Sequence, residues 1–227
     1  LARFLQPASS EAGVLPCWEK IRASEEAGYN TVKIILASSS PRRAEILRDA
    51  GIPFTSSTAQ IDEIPLPHEC AHQMVARLAE AKARAVAFLM NAGNGECIVV
   101  GADTTVELNG EILGKPDDSA HAREMLGNLS GGTHRVLTGI FLLRVADNET
   151  RSAIEISTVT FAALSENEIA NYVSSNEPLG KAGGYAIQGI AGRFIPKIEG
   201  CYFNIVGLPL ARLYALLREL GWQDGKQ

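Results

Sequence analysis

The chain has 227 residues, 46% of them hydrophobic and 21% charged, with a formal net charge of −5, the profile of a globular fold with a full core. This acidic balance argues against a general binder of nucleic acid or anionic membrane, since those partners recruit a basic excess or stripe. A small anionic ligand is still admissible, because distant carboxylates are screened over roughly 8 Å at physiological salt and a local basic cluster governs its own cleft.

The four cysteines, Cys17, Cys70, Cys97 and Cys201, lie far apart and form no C-x-x-C pair, so neither a zinc ribbon nor a disulfide framework is expected. A reducing, cytoplasmic compartment fits that usage. No apolar run reaches the ~18 residues of a membrane span.

Residues 1–31 read as an appendage with a short helix near 18–27, and Glu11, Glu19, Glu25 and Glu26 are unlike a transit peptide. From Lys33 the pattern sharpens. Ile34-Ile35-Leu36 is a buried strand, Ser38-Ser39-Ser40 a polar turn, and Pro41 the first residue of a serine-capped helix over 41–50 that stops at Gly51. A strand, serine loop and helix start form an anion site, because free backbone N–H groups and the helix dipole both face the anion. Arg42 and Arg43 stand in the first turn, where cations oppose the dipole at a cost of a few tenths of a kcal/mol. That cost is intelligible if their planar forks hold phosphate oxygens; two solvated arginines are the alternative.

Ile61-Asp62-Glu63 places a carboxylate pair in a loop ahead of Pro65 and Pro67; taken alone it reads as solvated. A helix is predicted over 68–90 with Val75, Leu78, Val86 and Leu89 facing inward. Lys82 falls on the same stripe, so it must either find a partner or snorkel outward. His68-Glu69-Cys70-Ala71-His72 matches the zinc-protease pattern H-E-x-x-H. The two prolines put both histidines in or before the first turn, whereas that motif needs an established helix. His121 and His134, the remaining ligand candidates, sit in no motif.

Ile98 to Val100 reads as a buried strand, carried by the small residues Gly101 and Ala102 to Asp103 at its carboxyl end, the position where open α/β sheets bind ligands. Asn109-Gly110 signals a tight hairpin that turns Lys115 back toward Asp103, with Pro116 ending the strand. A carboxylate and an ammonium at a strand end suit an anionic, metal-bound group; a surface ion pair is the plainer reading. Downstream, Asp118 opens a helix to about 129 closed by Gly131-Gly132. Strands over 133–145 and 152–161 follow as a hairpin, and Ser165 to Glu168 is a capping box for a helix to about 173. Residues 178–207 form a glycine-rich stretch around Lys181, Tyr185 and Gln188, as ligand-lining loops require. A last helix over 209–220, with Leu210, Leu213, Leu216 and Leu217 on one face, reads as core.

Leu36-Ala37-Ser38-Ser39-Ser40-Pro41-Arg42-Arg43, Gly101-Ala102-Asp103-Thr104, Gly114-Lys115-Pro116 and Lys181-Ala182-Gly183-Gly184-Tyr185-Ala186-Ile187-Gln188-Gly189, in this order, resemble the Maf family of nucleoside triphosphate pyrophosphatases over residues 33–222. The resemblance implies an α/β fold related to inosine triphosphatase, an elongated mixed β-sheet flanked by helices, with two lobes and a central cleft. It puts the domain at 32–223, with a tail at 224–227. It also implies hydrolysis of a nucleoside triphosphate to the monophosphate and pyrophosphate with a divalent metal, Mg2+ or Mn2+, by a homodimer with no nucleic-acid or membrane partner. By position, Ser38, Arg42 and Arg43 resemble the family's phosphate-binding loop. Glu63, Lys82, Asp103 and Lys115 resemble its charged catalytic set, Glu63 and Asp103 being the metal ligands. Thr104 and Gln188, with Arg42, match the branch acting on dTTP and UTP, and a glutamine amide suits the imide edge of uracil or thymine. The alternative is a nucleotide-sensing regulator of cell division with little turnover.

Overall fold

The computed structural model describes residues 32–89 and 97–223; the expected helix at 18–27, Cys17, Met90 and the tail at 224–227 lie outside them. In chain order the elements are β1 (Lys33–Ala37), α1 (Pro41–Asp49), β2 (Phe54–Ser57), α2 (Ala71–Leu89), β3 (Cys97–Leu108), β4 (Glu111–Leu113), α3 (Ser119–Leu129), β5 (Thr133–Arg144), β6 (Glu149–Thr160), α4 (Glu166–Ser174), β7 (Lys197–Glu199), α5 (Tyr202–Val206) and α6 (Leu210–Glu219). Among the described residues, no helix is long and apolar enough to cross a membrane.

The strands form one mixed sheet in the order β2-β1-β3-β5-β6-β7, with β4 beside β3. Helical crossovers make β1 parallel to β2 and β3, whereas all pairs from β3 onward are antiparallel, β3–β4 and β5–β6 as hairpins and β3–β5 and β6–β7 through longer connections. One core joins β1, α1 and α6 through Ile34, Leu36, Leu47, Val100, Leu208 and Leu217. A second gathers α3, α4 and the far half of the sheet around Leu126, Val136, Phe161, Tyr172 and Phe194. β3 threads both, giving Ala102 to the first and Val106 to the second, so the described residues form two lobes that part near Asp103.

On the other sheet face α2 lies directly on the backbone. A Cβ at Gly101 would stand 2.0 Å from the Ala79 carbonyl oxygen, and one at Gly139 would stand 2.4 Å from that of Val75. These two glycines are small because a helix rests on them.

Several boundaries differ from expectation. α2 starts at Ala71, three residues late, since His68 adopts a left-handed φ of 62° and cannot continue a helix. His72 is exposed, and no group of three His, Cys, Asp or Glu residues suited to a metal exists among the described residues, so the H-E-x-x-H pattern is not a zinc site. Leu89, expected inside, is 63% exposed beside Phe88 at 84%, because the last turn runs past Val86, the final apolar residue buried against the sheet. β3 does not end before Asp103: pairing with β5 from Ile98 to Glu107 carries it on to Leu108. The Asn109-Gly110 hairpin is present, with φ of 54° and 90° as a two-residue turn requires. The glycine-rich stretch is not plain loop. It holds two 3-10 turns, β7 and α5, all too short for hydrophobic periodicity to show.

Candidate active site in a notch of the sheet

β1 ends with Ala37 opposite Gly101, and β4 begins pairing at Val106 opposite Leu113. Residues 102–105 of β3 therefore lack a strand partner on that edge, while β5 pairs along the other. From β1 the chain passes through α1 to β2 on one side and later through α2 to β3 on the other. The notch thus lies at the carboxyl end of β1, at a topological switch point. Asp103 is in mid-strand and buried, and the end of the neighbouring strand leaves its edge open to the pocket. Being adjacent, Asp103 and Thr104 project to opposite sheet faces.

On the α2 face, Lys82 Nζ donates to Asp103 Oδ1 at 2.6 Å and to Glu63 Oε1 at 2.7 Å. Lys115 Nζ donates to Glu63 Oε2 at 2.9 Å. The inward stripe of α2 thus supplies a lysine with two carboxylate partners, and it does not snorkel. The hairpin brings Lys115 to this cluster through Glu63. Burial pushes the Glu63 carboxyl up, but hydrogen bonds from Lys82 and Lys115 outweigh it and hold the group at about 2.

The opposite face is a hydrogen-bond brace. Arg43 Nε donates to the Gly207 carbonyl at 2.8 Å, Nη1 to Ser38 Oγ at 3.1 Å and Nη2 to Thr104 Oγ1 at 3.0 Å. Thr138 donates to the Asn204 carbonyl at 3.0 Å, and the Thr104 hydroxyl lies 2.9 Å from that of Thr138 and 3.4 Å from the Gly207 carbonyl. Asn204 Nδ2 donates in turn to the Val136 carbonyl at 3.0 Å and to Ser157 Oγ at 2.9 Å. Arg43, expected on phosphate, has three donors engaged by protein, and burial lowers its pKa. It ties the serine loop to α5. Ser40 occupies the N-cap of α1 without a capping bond, and Ser38 Oγ instead accepts from its backbone N–H at 3.2 Å.

All nine expected site residues, from Ser38 to Gln188, line one pocket of about 380 Å³. Arg42, Arg43, Lys82, Lys115 and Lys181 face two carboxylates there, a local excess of cations in an acidic protein. At about 4 Å each cation–anion pair is worth about 1 kcal/mol in water and about 4 at an effective dielectric of 20, so enclosure decides how strongly this cluster holds an anion. Tyr185 lines the pocket with its hydroxyl 2.7 Å from Nε2 of the buried His134. Residues 205–207 and the Asn204 network were invisible to motif reading. Their one signal is a polar Asn204 inside the apolar run Tyr202-Phe203-Asn204-Ile205-Val206, since a polar side chain in an apolar stretch needs dedicated partners.

The Maf-like protein family model matches residues 33–220. A dTTP/UTP pyrophosphatase of Pelotomaculum thermopropionicum is 46% identical over 190 residues, covering 84% of this chain and 97% of the relative. One from Escherichia coli (strain K12) is 47% identical over 186 residues, covering 81% and 91%. Among solved structures, the Staphylococcus aureus Ham1 protein superimposes with a TM-score of 0.48 at 15% identity, covering 83% of this chain and 99% of that one.

Proposed function

The chain belongs to the family of Maf-like proteins, and from that membership we propose that it hydrolyses dTTP and UTP to the nucleoside monophosphate and pyrophosphate. The observation that carries the reading is the sheet notch, where Asp103, Lys82, Glu63 and Lys115 form one linked cluster in the same pocket as Ser38 and Arg42. Related proteins named dTTP/UTP pyrophosphatase support the substrate class.

Glu63 and Asp103 share the Lys82 ammonium and are both oxygen donors. Such a set suits a hard divalent cation, Mg2+ or Mn2+, which is usually held by one or two carboxylates plus substrate phosphates. When bound, that cation neutralises charge on the polyphosphate. Glu63 and Asp103 would hold it, and Lys82, Lys115 and Arg42 would take the phosphate oxygens. In the structure the lysines and carboxylates neutralise one another; polyphosphate and cation offer each a replacement partner. Water attacks the α-phosphorus, the bond from that phosphorus to the bridging oxygen breaks, and pyrophosphate leaves with the electron pair. Asp103 meets Lys82 through Oδ1; once phosphate draws that ammonium away, its carboxylate either accepts the water's proton or would hold the cation that positions the water. The cations stabilise the charge that builds on the leaving group. Gln188 offers a donor and an acceptor to the imide edge of the base. The same reading carries a cytoplasmic homodimer, checked by light scattering.

A panel of canonical and modified triphosphates with Mg2+ or Mn2+, analysed for pyrophosphate against phosphate, tests the activity. Pyrophosphate from dTTP and UTP supports it, whereas tight binding without product points to a sensor. Asp103→Asn is expected to lower kcat by about 10² to 10⁴. A loss insensitive to cation concentration assigns proton transfer, one rescued by excess cation assigns ligation, and activity within about threefold of wild type removes the catalytic role.

A further inference from the structure

Glu63 stands on residues 58–70, which form neither strand nor helix. Its apolar neighbours do little to fix that segment, because Ile64 is 69% exposed and Leu66 is 53% exposed. The segment is instead gripped by Arg77 of α2, which donates from Nε to Glu69 Oε1 at 2.6 Å and from Nη2 to Glu69 Oε2 at 2.7 Å. The same Nη2 reaches the Ile64 carbonyl at 3.2 Å, and Glu69 Oε2 also accepts from the Leu66 N–H at 3.0 Å. Arg77 and Glu69 therefore hold the backbone at 64 and 66, immediately beyond Glu63. The Glu69 side chain is 6% exposed beneath an Arg77 side chain that is 30% exposed, so the pair lies at the surface with its carboxylate covered by the guanidinium and by the segment it holds. Arg77 also precedes Lys82 by five residues on one helix, which fixes the grip on the segment and the ammonium that meets Glu63 to one rigid body.

We propose that Arg77 and Glu69 are positioning residues for Glu63, holding its segment so that the carboxylate meets Lys82 and the substrate polyphosphate in register. This rests on the place given to Glu63 in the proposed reaction. A catalytic carboxylate misplaced by about 1 Å can lower turnover as much as 10²-fold, and a segment without secondary structure must otherwise be ordered at each encounter. Lysine presents its three donors from a single nitrogen and so does not reproduce the planar two-nitrogen clasp on the Glu69 carboxylate.

The test is a double-mutant cycle on the full chain, with Arg77→Ala, Glu63→Gln and the double variant assayed for pyrophosphate release, and Arg77→Lys as a milder second variant. The expected result for Arg77→Ala is a kcat about tenfold lower with KM within about twofold, together with faster proteolytic cleavage within residues 58–70 and a near-wild-type melting temperature, and Arg77→Lys should move kcat and cleavage the same way by less. In the Glu63→Gln background the Arg77→Ala change should cost less than about twofold. An equal tenfold loss in that background, an unaltered kcat, or unaltered cleavage of the segment overturns the positioning role and leaves the pyrophosphatase reading intact. Wild-type turnover by Glu63→Gln alone overturns the role of Glu63 in that reading, and the positioning proposal with it.

Discussion

His134 is 2% exposed and shares Nε2 with the Tyr185 hydroxyl, while Nδ1 finds no hydrogen-bond partner among the described residues. Burial lowers its pKa from 6.5 to about 4. The folded state therefore binds fewer protons than the unfolded one between those values. The neutral-ring contribution is complete above pH 6.5 and is lost as pH falls toward about 4, at up to about 1.4 kcal/mol per pH unit. Urea melts of wild type across that window should show this slope, and His134→Gln should flatten it. Gln188 makes a second case at this scale. It lines the pocket from the glycine-rich stretch, and Gln188→Glu keeps an acceptor while removing the amide donor. The ratio of kcat/KM for dTTP over other triphosphates is expected to fall about tenfold, and an unaltered ratio would take base selection away from this residue. Lys82 shows what can be read one residue at a time. A lysine on an apolar stripe demands a partner, and the stripe announced the need without naming Asp103 and Glu63.

At the scale of elements, the contact of α2 with the sheet decides whether Lys82 reaches Asp103. Gly101 and Gly139 sit under the Ala79 and Val75 carbonyls, so a methyl group at either position must lift the helix or bend a strand. Overpacking of this kind typically costs about 1–3 kcal/mol. Gly101→Ala and Gly139→Ala should both lower the urea midpoint and reduce kcat together, because the 2.6 Å Lys82–Asp103 contact depends on the same approach. Gly127→Ala, in α3 with nothing within 4 Å of the added carbon, should instead stabilise by about 0.5–1 kcal/mol. Equal effects at all three sites would contradict the packing account. Local rules were reliable where the signal was local. Asp118 caps α3 by accepting from the His121 N–H at 2.8 Å, and both halves of the Ser165–Glu168 capping box form. They missed α5, because five residues carry too little periodicity.

For the whole molecule, a net charge of −5 coexists with a pocket lined by five cationic side chains and two carboxylates. Raising ionic strength from about 0.1 to about 1 M shortens the screening length from about 10 to about 3 Å. KM for a triphosphate should rise several-fold over that range with a smaller change in kcat, and a flat KM would deny the cluster its part in capture. The sequence alone determined the α/β class, the starts of α1, α3 and α4, the hairpin at Asn109-Gly110 and which charged residues were of interest, because caps, turns and alternation are written in neighbouring residues. Tertiary structure decided that Asp103 stands in mid-strand beside a gap, that Arg43 braces α5, and that Glu63 closes the lysine cluster. Those facts depend on where β1 stops against β3 and how closely α2 lies on two glycines. Register and packing between segments far apart in the chain are settled by burial and backbone pairing together, and no local pattern records them.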